Sequence, residues 1–300
     1  MQEWREKLRQ AFSTCFGVPM INGATRLLGV IGSPIEHTRS PHMHNEALSR
    51  LRINAVYVPL KVESHMLKAA VNGLRAFNFL GANVTIPYKE AVAPYLDSIS
   101  NESALIGAVN TIVNRRGRLW GTTTDPDGIL GALKRGTMGY EGKRVTIMGT
   151  GGAARTALFT FLLNGVRDIV VAGRRPERAR SMAAKARRAC GVLVPVLSLD
   201  SGEFRDRIRE TELLVNATSA GMYPRMRETP VAAALLHGRM AVFDMIYNPL
   251  VSRFLREAAR AGARTMNGLP MLVYQGMASF TLWTGKRTAF EVFYRKALAA

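Results

Sequence analysis

The sequence predicts an α/β protein with two α/β units in series. Three observations carry that prediction. Short apolar runs alternate with helix-periodic segments, the alternation restarts near Arg144, and a glycine-rich turn separates a strand from a helix at that restart. Strands that alternate with helices favour a parallel sheet, because a parallel crossover needs a dozen or more residues and is usually helical. With 300 residues, 47% of them hydrophobic, the chain can bury a large core, and its length suits two domains.

The elements follow in order. Residues 1–24 read as an amphipathic lead-in, where Trp4, Leu8 and Phe12 recur every four residues and predict a short helix. The apolar run from Leu27 to Ile31 predicts a buried strand, stopped by Gly32-Ser33-Pro34. A helix is expected from about Met43 to Leu51, a strand over Ala55–Leu60, a helix over His65–Phe77 and a strand over Gly81–Ile86. Thr, Asp, Pro and Gly cluster over Gly121–Gly128, which marks a joint. The second unit opens with a strand over Arg144–Met148, a helix over Ala153–Asn164 and a strand over Asp168–Ala172. Leu213–Asn216 and Val242–Met245 are further strands, and helices close the chain near Met271–Thr284 and Ala289–Leu298.

Composition excludes several classes. Two cysteines, Cys15 and Cys190, cannot form a disulfide framework and fit a reducing cytosol. No apolar run is long enough for a bilayer, and the charged start lacks a signal peptide's apolar stretch. A cytoplasmic protein without a membrane partner is expected. Lys and Arg total 41 against 22 acids, a formal +19. The basic residues are scattered rather than gathered in a tail or one helix, which argues against nucleic acid as the main partner. A surface that attracts small anions is the commoner reading. His42-Met43-His44 does not make a metal pair, since alternate residues on a helix do not share a face and no third ligand is evident. No metal is expected.

The turn Gly149-Thr150-Gly151-Gly152-Ala153-Ala154 sits between a predicted strand and a predicted helix, the context a dinucleotide fingerprint requires. Gly149 permits the tight turn, Gly151 lets the backbone approach a pyrophosphate, and Ala154 stands where a small residue lets helix and strand meet closely. N–H groups at the helix start would bind the phosphates. The next strand ends in Ala172-Gly173-Arg174-Arg175-Pro176-Glu177-Arg178. No acid stands there to hold a ribose 2′-hydroxyl, and a guanidinium suits a 2′-phosphate. Arg174, Arg175 and Arg178 therefore favour NADP; the bland alternative is a solvated basic loop.

Other polar clusters are bland one by one. Thr38 and Ser40 could hold a ligand carboxylate or merely cap a helix. Lys89 follows a strand end, and a lone lysine is usually a solvated charge. Gly107-Ala108-Val109-Asn110-Thr111 and Thr124-Asp125 add an amide and a carboxylate. Together they form a pattern. From about Thr25 to its end the chain resembles the shikimate dehydrogenase family, including its quinate/shikimate dehydrogenase branch. The matching stretches are Gly32–Pro41, Gly81–Lys89, Gly107–Thr111, Asp125, Gly149–Arg155, Asn216–Met222 and Gly268–Gln275. The phrase Asn83-Val84-Thr85-Ile86-Pro87-Tyr88-Lys89 is the most specific of them.

The resemblance implies a catalytic pair, Lys89 and Asp125. It implies that Thr38 and Ser40 hold the substrate carboxylate, that Thr85, Asn110 and Gln275 bind ring hydroxyls, and that Tyr247 stands at the substrate mouth. Asn216, Thr218 and Ser219 would line the nicotinamide half of the cofactor. The implied fold is an α/β substrate domain, 1–124 with 268–300, and a Rossmann NADP-binding domain, 125–267, with the C-terminal helices returning to the first. The implied activity is reversible reduction of 3-dehydroshikimate to shikimate in chorismate biosynthesis, by a monomer or homodimer. Two departures stand out: Pro126 replaces the family's glycine after Asp125, and Thr38 replaces a common serine. Two alternatives stay open. One is a quinate/shikimate dehydrogenase using NAD or NADP, suggested by Phe280-Thr281-Leu282-Trp283-Thr284-Gly285-Lys286. The other is a non-catalytic cofactor-sensing or nucleic-acid-binding protein, which retention of Lys89 and Asp125 disfavours.

Overall fold

The computed structural model describes residues 21–300. The expected helix through Trp4, Leu8 and Phe12, and Cys15, lie outside the described residues. The chain divides into two units: one runs to Thr124 and resumes over Gly276–Ala300, the other is Asp125–Gln275.

The first unit holds six strands, β1 (Arg26–Gly32), β2 (Ala55–Lys61), β3 (Gly81–Val84), β4 (Ser98–Ile99), β5 (Thr111–Arg115) and β6 (Arg118–Thr122), in the order β2-β1-β3-β5-β6-β4. Its first helices are α1 (Ser40–Arg50), α2 (Leu67–Ala76) and α3 (Asn101–Ile106). Leu67, Val71 and Leu74, spaced on one face of α2, share a core with Ile31, Val84, Val109 and Ile112. β1 runs parallel to β2 and β3, but β5 is antiparallel to β3 and to β6. The sheet is thus mixed where the strand–helix alternation predicted a parallel one. The reversal from β5 to β6 has a local cause: Arg116 and Gly117 both have positive φ, 55° and 87°, the mirror-image turn that matches strand twist in a two-residue hairpin. Asn114 Oδ1 accepts the Gly117 N–H at 2.8 Å and closes it.

The second unit contains α4 (Asp125–Arg135), β7 (Val145–Met148), α5 (Gly152–Leu163), β8 (Ile169–Gly173), α6 (Glu177–Cys190), β9 (Val196–Ser198), α7 (Gly202–Glu210), β10 (Leu213–Asn216), β11 (Ala241–Asp244), α8 (Arg253–Arg260) and β12 (Arg264–Met266). Its sheet is parallel throughout, in the order β12-β11-β10-β7-β8-β9. β7, β8, β10 and β11 are buried along their whole length, as expected for strands covered on both faces. Strand order reverses between β7 and β10, the place where such sheets open a ligand crevice beyond the strand ends.

The division between the units falls between Thr124 and Asp125, inside the segment expected as a joint, but that segment is mostly strand end and helix start. Gly121 and Thr122 finish β6, and α4 begins at Asp125 with Pro126 in its first turn. Proline is tolerated there because the first helical N–H groups have no partner within the helix. The closing helices are α9 (Leu269–Thr284) and α10 (Phe290–Ala299). Leu269–Gln275 of α9 belongs to the second unit and Gly276–Thr284 to the first.

Within the first unit, Trp283 seats α9 on β3. Its indole Nε1 donates to the Ile112 carbonyl at 2.8 Å. A Cβ on Gly81 would stand 2.2 Å from that carbonyl oxygen and 2.3 Å from Nε1. Gly81→Ala should therefore destabilise the protein by about 1–3 kcal/mol, the usual cost of overfilling a core. A urea titration checks this, and an unchanged midpoint would show that the Trp283 contact yields without cost.

Candidate active site

The first unit carries a buried polar cluster at the ends of β3, β5 and β6. Asn83 Nδ2 lies within donating distance of the Asn110 carbonyl (3.1 Å), Thr111 Oγ1 (3.2 Å) and Ser279 Oγ (3.0 Å). Asn110 Oδ1 accepts from the Thr124 N–H at 2.8 Å and from Thr111 Oγ1 at 2.8 Å, while Asn110 Nδ2 donates to Thr124 Oγ1 at 3.1 Å. The oxygen end of the Asn110 amide is thereby committed, which fixes the end that presents donor protons. The peptide bond after Thr124 leads directly to Asp125, a buried residue at the start of α4.

Thr38 and Ser40 flank the start of α1. Arg39 is the N-cap residue and makes no side-chain cap; Thr38 Oγ1 meets the Ser40 N–H only at 3.4 Å. Helix capping thus does not account for these two hydroxyls. Arg39 Nη1 donates to the Ala297 carbonyl at 2.7 Å, tying the loop to α10. Thr85 and Lys89 follow β3 and are half-buried; the Thr85 N–H donates to Ile31 O at 2.9 Å and the Lys89 carbonyl accepts the Val109 N–H at 2.7 Å. Thr38, Ser40, Thr85, Lys89 and Asn110 all belong to the first unit, whereas Asp125, Tyr247 and Gln275 belong to the second. Tyr247 and Gln275 are half-buried, and Gln275 Nε2 donates to Leu272 O at 2.9 Å.

A cleft of about 600 Å³ opens in the second unit where its strand order reverses. Gly149, Thr150, Gly151, Arg174, Arg175, Arg178, Thr218 and Ser219 line it. Gly149 has φ +133°, and a Cβ there would stand 2.7 Å from Ala217 O, so the turn after β7 admits no side chain. Around the Cβ position of Gly151 the space is open to 4 Å. Gly151 is also the N-cap of α5, and no side chain caps that helix. Its first N–H groups and partial positive charge are left to serve an anion. Gly152 and Ala153 are exposed at the helix start, and Ala154 is buried against the sheet. Arg174, Arg175 and Arg178 stand exposed just beyond β8. Arg205 and Arg225 also line the cleft, so arginine outnumbers its acids, Asp200 and Glu228. Leu199, Phe204, Val231 and Leu235 add apolar wall. This donor set fits a phosphorylated dinucleotide: uncapped amides for a pyrophosphate, guanidinium groups for a further phosphate and an apolar wall for a base.

Comparison with known proteins decides the family. Residues 30–112 match the family model described as the shikimate dehydrogenase substrate binding domain, 132–249 that of shikimate / quinate 5-dehydrogenase, and 268–298 that of the shikimate 5-dehydrogenase C-terminal domain. The chain belongs to the shikimate dehydrogenase family. It is 42% identical over 276 residues to the shikimate dehydrogenase (NADP(+)) of Moorella thermoacetica, covering 92% of this chain and 93% of that one. A shikimate dehydrogenase solved in complex with NADP+ superposes with TM-score 0.89 at 37% identity, over 94% of this chain and 98% of the other. The Thermus thermophilus shikimate 5-dehydrogenase in complex with NADP(H) and shikimate gives 0.83 at 34%, over 92% and 99%.

In this member of the shikimate dehydrogenase family Asn216 is wholly buried behind the cleft. Its Nδ2 donates to Asp244 Oδ1 at 2.9 Å, and its Oδ1 accepts the Thr218 N–H at 3.0 Å and the Thr218 hydroxyl at 2.7 Å. Asn216 thus shapes the loop that carries Thr218 and Ser219. Sequence reading gave no role to Asp244, Arg205 or Arg225, nor to Tyr57, Thr111, Thr124 and Ser279 of the first unit. The legible signal was polarity inside apolar strands, as at Asn83 within Gly81–Val84. Among the described residues no His, Cys, Asp and Glu side chains gather into a metal-sized group. His42 is exposed and His44 buried. No helix of the described residues is long and apolar enough to cross a membrane.

Burial pushes the Asp244 carboxyl up to about 6, opposed by hydrogen bonds from Ser252, the Ile246 N–H and Asn216. A raised carboxyl pKa favours the protonated form in the folded state. Its stabilising contribution is full below the unfolded value and is lost as pH rises through the folded one. Asp244→Asn does not titrate. Between pH 4 and 7 the stability of the natural protein should therefore fall relative to Asp244→Asn, by up to about 3 kcal/mol. Denaturant titrations at the two pH values check this; a constant difference would show that Asp244 keeps its ordinary pKa.

Proposed function

We propose that the protein catalyses the reversible NADP-dependent reduction of 3-dehydroshikimate to shikimate, a step of chorismate biosynthesis, as a cytoplasmic enzyme. The observation that carries this reading is the convergence of the uncapped α5 start with Arg174, Arg175 and Arg178 on one cleft of the second unit. The family relation supplies the substrate, and the first unit offers groups suited to it. Thr38 and Ser40 would hold the carboxylate through hydroxyls, and Thr85, Asn110 and Gln275 the ring hydroxyls. Tyr247 would stand at the mouth.

NADPH, when bound, supplies the hydride that the ketone carbon accepts. Lys89 would donate to the ketone oxygen, stabilise the negative charge that grows there, and give it a proton. Asp125 would hold the lysine ammonium in place and take part in returning the proton in the oxidative direction. Thr218, Ser219 and the turn over Gly149–Gly151 would fix the cofactor, with Gly152, Ala153 and Ala154 shaping the helix start, and Asn216 would act by holding Thr218.

The quinate reading drew on Phe280–Lys286. In the structure Phe280 and Trp283 are buried in the first unit, and Trp283 is spent on Ile112. Their place is therefore accounted for by core contact. A steady-state panel of shikimate and quinate with NADP and NAD tests the proposal: shikimate with NADP should give the highest kcat/KM. Quinate turning over faster than shikimate would overturn it.

Lys89→Ala should lower kcat at least about a hundredfold, the scale of a positioned proton-transfer group, with the folded state intact by circular dichroism. Near-normal turnover would remove Lys89 from the chemistry. Arg174→Ala should raise KM for NADP far more than for NAD, by about 1.5–3 kcal/mol if a charge-assisted hydrogen bond is lost. Equal effects on both cofactors would show that Arg174 does not read the 2′-phosphate.

A further inference from the structure

Tyr57 lies on β2, in a stretch with no assigned role, and it is buried. Its ring stacks on the imidazole of His44, with centroids 4.3 Å apart and planes 7° from parallel. Trp283 tilts against both rings, at 5.4 Å from His44 and 6.0 Å from Tyr57, and Phe293 of α10 meets His44 edge-on at 5.0 Å. The box closes on Gly276, where a Cβ would stand 3.1 Å from Phe293 and 3.6 Å from His44 Nε2. A phenol held on this many sides cannot swing, so the position of its hydroxyl is set by the core.

That hydroxyl donates to Asn83 Oδ1 at 2.7 Å. Burial holds the phenol protonated, well above the usual tyrosine range, so it remains a donor. The opposite end of the Asn83 amide faces the Asn110 carbonyl at 3.1 Å. A carbonyl only accepts, so Nδ2 must point that way and Oδ1 must point at Tyr57. The Asn83 amide therefore has one satisfied orientation, and it also fixes the backbone from which the Asn110 side chain projects.

We infer that Tyr57 is a positioning residue for the substrate site: its hydroxyl fixes the Asn83 amide, and through the Asn83–Asn110 bond it fixes the strand end from which the Asn110 side chain projects on the ring-hydroxyl side. This rests on the assignment of Asn110 to shikimate proposed above. It would explain why a tyrosine stands where a phenylalanine would fill the same aromatic box. Loss of the hydroxyl would leave Asn83 Oδ1 buried without its donor.

The test is steady-state kinetics of Tyr57→Phe, which keeps the stack and removes the oxygen. KM for shikimate should rise about five- to tenfold, while KM for NADP stays within about twofold. In an Asn110→Ala background the further effect of Tyr57→Phe on KM for shikimate should shrink to about twofold or less, because residues acting through one network do not add. A merely structural role predicts a lower Tm with both KM values unchanged, or the same fold-change in every background; either result would overturn the inference. If Tyr57→Phe is insoluble, His44→Ala, which keeps the hydroxyl but removes its support, should raise KM for shikimate alone, and a rise in both KM values would overturn the inference. A rise with Tyr57→Phe while Asn110→Ala leaves KM unmoved would overturn the link. No effect of either variant would overturn the site assignment, and the link with it.

Discussion

Two buried amides, Asn83 and Asn110, set the terms on which the first unit folds. Each has a donor end and an acceptor end, and leaving either unpaired away from water costs about 1–3 kcal/mol. The solution draws in distant chain. Tyr57 and Thr111 supply hydroxyls from β2 and β5, Thr124 supplies its N–H from beyond β6, and Ser279 reaches in from α9. The Asn110 backbone is used as well, its carbonyl accepting the Val84 N–H at 2.8 Å and its N–H donating to Thr122 O at 3.1 Å. One residue therefore fastens β3 to β6 at their functional ends. The mixed sheet follows from the same need, since the Arg116–Gly117 hairpin is what returns β6 to the side of β5.

The second unit meets its needs with backbone instead. The turn at Gly149 comes so close to Ala217 that no side chain fits between, and α5 begins with its amides uncapped. Side chains here work from behind. Asn216 holds Thr218, Asp244 holds Asn216, and Ser252 donates to Asp244 Oδ2 at 2.5 Å while capping α8 through the Leu255 N–H at 3.2 Å. A chain of polar groups thus runs from a helix cap to a cleft-lining hydroxyl. A carboxylate buried in such a chain carries a desolvation cost, which is the physical origin of its raised pKa.

The apolar elements were legible because burial writes itself into composition, whereas the more polar helices α3, α6, α7 and α8 were not predicted. β1, β2, β3, β7, β8, β10 and β11 are apolar runs, and α5 is apolar nearly all round. β4, β9 and β12 were not seen, being two or three residues long and at best half-buried. The joint over Gly121–Gly128 does hold the division between the units, but α4 went unseen because Pro126 and Gly128 read as turn residues, although a first-turn proline obeys helix chemistry. The hairpin escaped because Arg116 adopts a positive φ that its side chain does not announce. Site residues matched by motif were named directly. Tyr57, Thr111 and Ser279 were not, because their role exists only through partners as far as 196 positions away in the chain.

The two units also divide the electrostatics. Several arginines away from the cleft have acid partners, such as Arg75 with Asp97 and Arg207 with Asp168. Arg174, Arg175, Arg178 and Arg205 gather on the cleft with few acids beside them. Unbalanced charge acts at a range of about 8 Å or more and speeds the arrival of an anion without identifying it. The polar groups of the buried first-unit cluster are neutral hydroxyls and amides, whose fields fade over a bond length or two. Such groups attract weakly but discriminate sharply, because a ligand that lacks a matching hydroxyl leaves a buried polar atom unpaired. Under the proposed function, the cofactor is the reactant with more charge and the substrate the one defined by hydroxyl positions. Guanidinium groups suit the first, and a rigid neutral network suits the second. On the same reading the aromatic box around Tyr57 serves that rigidity, because a hydroxyl can hold the Asn83 amide in one orientation only if the ring that carries it stays in place.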